Sequence, residues 1–459
     1  MCFDKVWVVM GPYLHPHSPL GVSPPVPTRH LIPGIALLIL VAIAGCGSGG
    51  IIPSQPTSAT SPAPPTSLAT QPSPIQHVVI IMQENRSFDN LFNGFPGADT
   101  VLSGMSKNQV VPLRPVTLSD GRDVDHSHIS WWLDWNHGKM DGFAHEGGPN
   151  PLLPYSYVPS ADTLPYWNLA QQYTLGDRMF QSNTGPSFVA HQYMIAGQSG
   201  EASENPAGNI WGCDATKATR VALVGPNGTD LPGVYPCFDY PTMAESLDAR
   251  GITWRYYAPG SKDNFFIISA FQAIRSVRFG KDWKNNVISP ETQVLTDIAK
   301  GKLASVTWIV PSFDHSDHPG APAEGPDWVA SITNAIGTSN YWNSTVIFIS
   351  WDDWGGWYDH VSPPQVDNMG LGFRVPLIIV SPYARKGYVS HQIHEASGFL
   401  TYIEQTFGLP SLGSRDVLAD DFDDCFDYTQ PVLPYRKVHT LRTPQQLIND
   451  PRSGPPDDD

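Results

Sequence analysis

The chain has 459 residues, enough for one large domain or two of ordinary size. Hydrophobic residues at 41% allow a sizeable core, while a charged fraction of 15% with 40 Gly and 45 Pro points to a loop-rich globular fold and away from a helical bundle or a disordered chain. A formal net charge of −16 argues against nucleic acid as a partner, because phosphate-backbone binding needs clustered Lys and Arg. An acidic surface also suits an anionic substrate only where a bound cation reverses the local field.

In chain order, residues 31–45 (LIPGIALLILVAIAG) form an apolar run ahead of Cys46. It is short of the ~20 residues of a membrane-spanning helix and fits the core of a signal peptide. Ile43-Ala44-Gly45-Cys46 resembles a bacterial lipobox, so residues 1–45 are expected to be a signal peptide and Cys46 the lipidated residue. Arg29 and His30 are the basic residues near the apolar run, and the translation start is expected nearer Val22 or Val26 than Met1. Residues 46–75 are rich in Pro, Ser and Thr and cannot bury enough apolar surface to order themselves, which makes them an expected tether. Together these features predict export, with a catalytic domain over 76–440 held at a membrane by an N-terminal lipid, and a disordered acidic tail over 441–459 ending RSGPPDDD.

Within the domain, HVVIIM (77–82), VTWIV (306–310), TVIFIS (345–350) and PLIIVS (376–381) are short, β-rich and continuously apolar, the pattern of strands buried on both faces. WVASITNAIG (328–337) and EASGFLTYIEQTFG (395–408) read as helices between and after them, so the pattern predicts an α/β domain. Chemistry in such sheets gathers beyond the carboxyl ends of the strands. Cys213 and Cys237 flank a loop rich in Gly, Pro and Asn, and a disulfide closing it is expected.

Two strand ends carry acidic pairs. Glu84-Asn85 follows HVVIIMQ, and Asp352-Asp353 follows TVIFISW. Carboxylates and an amide carbonyl are hard donors that favour Mg²⁺, Ca²⁺ or Mn²⁺ over a thiolate-type zinc site. An isolated acidic pair is usually a solvated turn, but two in matching positions after buried strands are a candidate metal site. Ser187 lies in GPSFV, which fails the G-x-S-x-G elbow, so its hydroxyl would need activation by a cation rather than an adjacent base. His126, His315, His318 and His360 lie near these segments and could hold phosphate oxygens or protonate a leaving group. The aromatics Trp131, Trp132, Trp354 and Trp357 could cradle a choline, though core packing is the commoner fate of such residues.

The ordered segments ENRSFDNLF (84–92), DHSHISWWLDWNHGKMDGF (125–143), DRMFQSNTGPSFVAHQYMIAG (177–197), SFDHSDHP (312–319), ISWDDWGGWYDHVSPP (349–364) and GFRVPLIIVSPYARKGYVSH (372–391) closely resemble the bacterial phosphoesterase family of phospholipases C and acid phosphatases, within the alkaline phosphatase and sulfatase-like fold group. The resemblance implies a three-layer α/β/α sandwich with a mostly parallel central sheet and long loop insertions. It makes Glu84, Asn85, Asp352 and Asp353 ligands of one hard divalent cation such as Ca²⁺ or Mg²⁺, with Ser187 as metal-bound nucleophile at a position where phospholipases C often have Thr. His126, Asp317 and His318 match residues around the phosphate, and His360 joins them. The implied reaction is a two-step displacement through a covalent phosphoseryl intermediate.

The chain departs from the family pattern after Ser187, where FVAHQY replaces the usual Pro-Asn pair followed by Arg or His, so the resemblance gives His191 no secure role. It also lacks the large C-terminal accessory region of many phospholipases C. The expected activity is therefore an acid phosphatase-like phosphomonoesterase acting on small phosphate esters, with phospholipase C action on phospholipids as the alternative. A phosphate- or partner-binding surface lipoprotein is the non-enzymatic reading, disfavoured because both ligand pairs and the hydroxyl are intact.

Overall fold

Continuously apolar runs with β-branched residues pair most stably when covered on both faces, and the central sheet follows that rule. A computed structural model describes residues 73–449, apart from Gly121, residues 146–147 and residues 261–267. Its main sheet has eight strands: β1 (His77–Gln83), β2 (Thr174–Gly176), β3 (Trp254–Tyr257), β4 (Val287–Ile288), β5 (Val306–Ile309), β6 (Thr345–Trp351), β7 (Leu377–Val380) and β8 (Tyr388–Ser390), in the order β4-β3-β5-β1-β6-β7-β2-β8. All four apolar runs singled out in the sequence are strands of this sheet, and β5, β6 and β7 are buried along their whole length.

The helices bearing on the site are α1 (His128–Trp135), α2 (Leu164–Gln172), α3 (Ser187–Ala196), α4 (Gly325–Gly337) and α5 (Gly398–Phe407). Successive side chains of a strand point to opposite faces. On β6, Phe348 packs against Phe399 and Tyr402 of α5, with ring centroids 5.3 and 5.0 Å away, whereas Trp351 meets Tyr166 of α2 at 5.1 Å on the other face. Helices thus cover both faces, and the domain is a three-layer α/β/α sandwich.

The sheet is mostly parallel, with one reversal. β7 runs antiparallel to both β6 and β2, although its sequence reads like its parallel neighbours. Burial on both faces gives the same apolar run in either direction. The connection decides: residues 352–376 contain no helix, and a parallel return would require a crossover of the kind a helix usually supplies.

The ends of the domain also shift. Ile75, the last residue of the expected tether, is already buried in the core. Residues 441–449, expected to belong to a disordered tail, instead carry a short helix over Pro444–Ile448. Thr443 and Gln446 form a reciprocal capping box, Leu447 is fully buried, and Asp327 of α4 accepts the Leu441 N–H at 2.9 Å. The remaining tail, the signal-peptide segment and Cys46 lie outside the described residues. Cys213 and Cys237 are joined by a disulfide with Cα atoms 4.5 Å apart, closing a loop that carries the hairpin Val221–Val224 and Asp230–Val234. No helix among the described residues is long and apolar enough to cross a membrane.

Phe348 touches Phe399, Tyr402 and Phe422 from the sheet centre. Phe348→Ala is expected to lower unfolding stability by about 3–5 kcal/mol through loss of burial and a residual cavity. Urea unfolding would check this, as a lower midpoint at unchanged slope.

Candidate metal and phosphoester site

The site starts from strand register. β1 and β6 pair in parallel from His77↔Thr345 to Gln83↔Trp351, so Glu84 and Asp352 leave adjacent strands at the same level. Hydrogen bonds then lace the two exits together: Asp352 N–H donates to the Gln83 carbonyl at 2.9 Å, Asn85 N–H to Asp352 Oδ1 at 2.9 Å, and Arg86 N–H to the Asp353 carbonyl at 3.0 Å. Asn85 takes a left-handed conformation at φ 59°, which Asn tolerates better than most residues. Gly355, at φ 62°, packs so closely that a Cβ there would lie 2.3 Å from the Asn85 carbonyl oxygen.

A third element enters from α3. Pro186, in extended backbone, precedes Ser187 at the first position of a helix whose ten residues are all buried. Ser187 Oγ donates to Asp353 Oδ2 at 3.3 Å. His191 follows one turn later on the same face, with Nε2 3.3 Å from Glu84 Oε1 and 3.7 Å from Asp352 Oδ2. The helix N-terminus presents a positive dipole end to any negative charge that develops at Ser187. The far end of α3 is fixed: Gly197 caps it at φ 62°, and Ser414 Oγ donates to the Ala196 carbonyl at 2.6 Å. From β1's side His126 approaches, its Nε2 3.0 Å from the Asn85 amide and 3.9 Å from Asp353 Oδ2, its Nδ1 2.7 Å from the Val124 carbonyl.

Electrostatics define what this constellation needs. Glu84, Asp352 and Asp353 are fully buried. Burial and then mutual repulsion raise Glu84 to about 8, and Asp352 and Asp353 to about 7. Burial works against a charged His126, yet Asp353 and Asp123 outweigh it and lift its pKa to about 9. Both Glu84 carboxylate oxygens, Asn85 Oδ1, Asp352 Oδ2 and His191 Nε2 are buried without a hydrogen-bond partner. Unpaired buried acceptors and carboxylates are costly, and a cation is the group that would satisfy so many converging lone pairs together. Donor atoms of Glu84, His191 and Asp352 lie within 4.8 Å of one another. The residues therefore fit a divalent cation, with one imidazole added to the oxygen donors expected from the sequence.

The other expected residues divide. Asp317 is fully buried; its Oδ2 accepts from Tyr166 OH at 2.8 Å and from Trp351 Nε1 at 2.9 Å, while burial raises its pKa to about 6. It braces the end of β6 beneath the site. His318 Nδ1 contacts the Pro319 carbonyl at 2.9 Å, and burial lowers its pKa, with the nearby His126 charge adding to that. His360 is not brought to the carboxylate group. Its Nδ1 bonds Asp89 at 2.6 Å and its Nε2 bonds Asp99 at 3.1 Å, in a network with Arg374 and Asp359 that ties the following loop to the sheet. His315 is likewise occupied, paired with Glu291 at 2.8 Å and stacked on Trp328. Trp131, Trp354 and Trp357 are core residues rather than a choline cradle.

Beside the carboxylate group opens a cavity of about 360 Å³, lined by Asp123, Asp125, His126, Pro186 and Glu204 among others. Its walls carry three carboxylates and, apart from His126, no basic side chain.

A model of the Phosphoesterase family matches residues 75–410, and the chain belongs to that family. It is 26% identical over 424 residues to Phospholipase C A of Mycobacterium tuberculosis, an alignment covering 78% of each chain. It is 26% identical over 437 residues to Hemolytic phospholipase C of Pseudomonas aeruginosa, covering 77% of this chain and 56% of that one. Among solved structures it resembles an alkaline phosphatase superfamily protein from Vibrio parahaemolyticus, at 11% identity and a TM-score of 0.39, over 78% of this chain and 72% of that one. The chain is a phosphoric ester hydrolase.

Two outcomes follow from this geometry. Gly355→Ala, meeting both the Asn85 carbonyl and a positive φ, is expected to weaken divalent-cation affinity at least tenfold in calorimetric titration. The raised carboxylate values mean that the metal-free fold loses stability as pH rises from about 4 to 8, where these groups have ionised in the unfolded chain but still hold protons in the fold. A cation binding the ionised forms reverses that loss. The gain in Tm from saturating Ca²⁺ or Mg²⁺ is therefore expected to be larger at pH 8 than at pH 5, by scanning calorimetry; an equal gain would count against a cation held by these carboxylates.

Proposed function

We propose that this chain is a phospholipase C-type phosphodiesterase that uses Ser187 as its nucleophile. The observation that carries the reading is Ser187 Oγ at a helix N-terminus, 3.3 Å from Asp353 and beside the unpartnered donors of Glu84, Asn85 and Asp352. Ser187 Oγ attacks phosphorus in line, and its proton passes to Asp353 Oδ2. A divalent cation held by Glu84, Asn85, Ser187, His191, Asp352 and Asp353 would supply neutralisation of the charge on the phosphoryl oxygens when bound. His126, whose pKa Asp353 and Asp123 raise in the ion-free site, stands next to the same centre and is the group placed to protonate the departing ester oxygen. Water then hydrolyses the phosphoseryl intermediate, giving a proton to His126, while Ser187 recovers its own from Asp353. The N-terminus of α3 favours the charge that builds near Ser187.

The sequence alone pointed first to monoesters. The relatives named as phospholipases C favour the diester, and so does the wall charge of the adjoining cavity. Asp123, Asp125 and Glu204 would repel a dianionic monoester but attract an ester whose other half carries a cation, as choline and ethanolamine headgroups do. We further infer that the protein is exported and lipid-anchored through Cys46, with residues 46–75 reaching from the membrane to the domain. That reading rests on the apolar run, the Cys and the tether composition.

Purified protein assayed on p-nitrophenylphosphorylcholine and on p-nitrophenyl phosphate, with and without chelator, tests the substrate class; faster monoester turnover would restore the phosphatase reading. Ser187→Ala is expected to reduce kcat/KM by about a thousandfold or more while leaving the circular dichroism spectrum unchanged. Asp123→Asn combined with Glu204→Gln is expected to raise KM several-fold for the choline diester and not for the monoester. An equal change for both substrates would remove the headgroup argument.

A further inference from the structure

A second cluster of metal-ligating side chains lies away from the carboxylate group, at the end of the sheet formed by β8. His394 follows β8, and Asp424 and Cys425 sit in a short 3-10 turn over Asp423–Cys425. His394 and Cys425 are fully buried, and Cys425 has no disulfide partner. The three donor atoms are mutually close: His394 Nε2 is 3.5 Å from Asp424 Oδ1 and 3.7 Å from Cys425 Sγ, and that sulfur is 3.5 Å from Asp424 Oδ1.

These separations have a chemical meaning. Tetrahedral bonds of about 2.0–2.1 Å to nitrogen or oxygen and about 2.3 Å to sulfur place neighbouring donors about 3.3–3.8 Å apart. All three pairs fall in that interval. The imidazole is also oriented as a ligand would be: Nδ1 is held by Asp420 Oδ2 at 2.7 Å, which aims Nε2 at the other two donors. A carboxylate behind a ligating His is the usual outer support of a zinc imidazole.

The surrounding backbone holds the geometry rigidly. Cys425 C=O accepts from Arg385 N–H at 2.9 Å and from Thr174 Oγ1 at 3.2 Å, and His394 N–H donates to the Arg178 carbonyl at 2.9 Å. The His394 ring packs on Phe422 with centroids 5.1 Å apart, and Phe422 itself takes a left-handed φ of 61°. Ser390 Oγ, 2.9 Å from His394 Nε2 and 2.5 Å from Asp424 Oδ2, stands at the remaining side of the cluster.

We propose that His394, Asp424 and Cys425 bind a zinc-class divalent cation, with Asp420 as the positioning residue and water or Ser390 completing the coordination. Binding replaces the Cys425 S–H proton, which leaves to solvent, with a metal–thiolate bond; no redox step is involved. The mixed nitrogen, oxygen and sulfur set is softer than that of the catalytic group and selects a different ion. Its place in the fold makes it a clip that fastens the 420–426 segment to the edge strand. Between β8 and β6, after which Asp352 and Asp353 follow, stand β7 and β2.

The test is Co²⁺ titration of the full chain, followed by Zn²⁺ competition. Expected is a saturable thiolate-to-cobalt charge-transfer band, displaced by Zn²⁺ and absent in Cys425→Ser. The catalytic group, having no thiol, cannot produce this band. Asp420→Asn, which keeps all three donors, is expected to weaken Zn²⁺ affinity by about 10–100-fold without altering the far-ultraviolet spectrum. Absence of the band in the native chain overturns the proposal, as does its persistence in Cys425→Ser. Unchanged Zn²⁺ affinity in Asp420→Asn overturns the assignment of the positioning residue and, should Cys425→Ser fail to fold, the proposal with it.

Discussion

The parallel pairing of β1 with β6 is the constraint on which the rest of the site depends. With Gln83 opposite Trp351, the two chains leave the sheet at one level, and the residues that follow have no freedom to separate. Two backbone bonds and one from the Asn85 N–H to the Asp352 carboxylate join the exits, and the contact of Gly355 against Asn85 removes what slack remains. A one-residue slip would turn every buried side chain of either strand to the opposite face, so core packing and site assembly enforce the same register. The apolar strands thus act as the alignment device for the polar residues that follow them.

That alignment creates an electrostatic problem by construction. Three carboxylates without solvent repel one another and rise well above their ordinary pKa values, and several of their oxygens point at no donor. A fold optimised for stability alone would not place them so. The strain is tolerable because the sandwich around it is deeply packed, and it is useful because a cation entering the site finds ligands already gathered. A bound cation would balance that charge and leave His126 and the start of α3 facing a neutralised centre.

Much of this was legible in the sequence because strand and site are adjacent in the chain. Glu84-Asn85 and Asp352-Asp353 announce themselves by following buried apolar runs directly. His191 did not, because FVAHQY departs from the family pattern; the signal that remained was its spacing of four from Ser187, which puts both on one helix face. His360 was misread for the opposite reason. It stands close to the aspartates in sequence, but the turn at Gly355 and Gly356 carries the chain away into the Asp89–Arg374 network. The direction of β7 was hidden because burial does not encode polarity, although the lack of a helix between 352 and 376 did. The last helix was readable from Thr443 and Gln446, a capping signature overshadowed by the acidic residues beyond it.

One consequence attaches to the anchoring of α3. Its ten residues span about 15 Å, with the Ser187 hydroxyl at one end and, at the other, the bond from Ser414 to Ala196. Tilting such a rod by about 2° at that bond would displace the hydroxyl by about 0.5 Å, enough to matter for in-line attack. Ser187 and His191 would swing together, keeping their spacing while changing their distance to the carboxylates. The segment around Ser414 would thereby set the position of Ser187 from more than two hundred positions downstream in the chain.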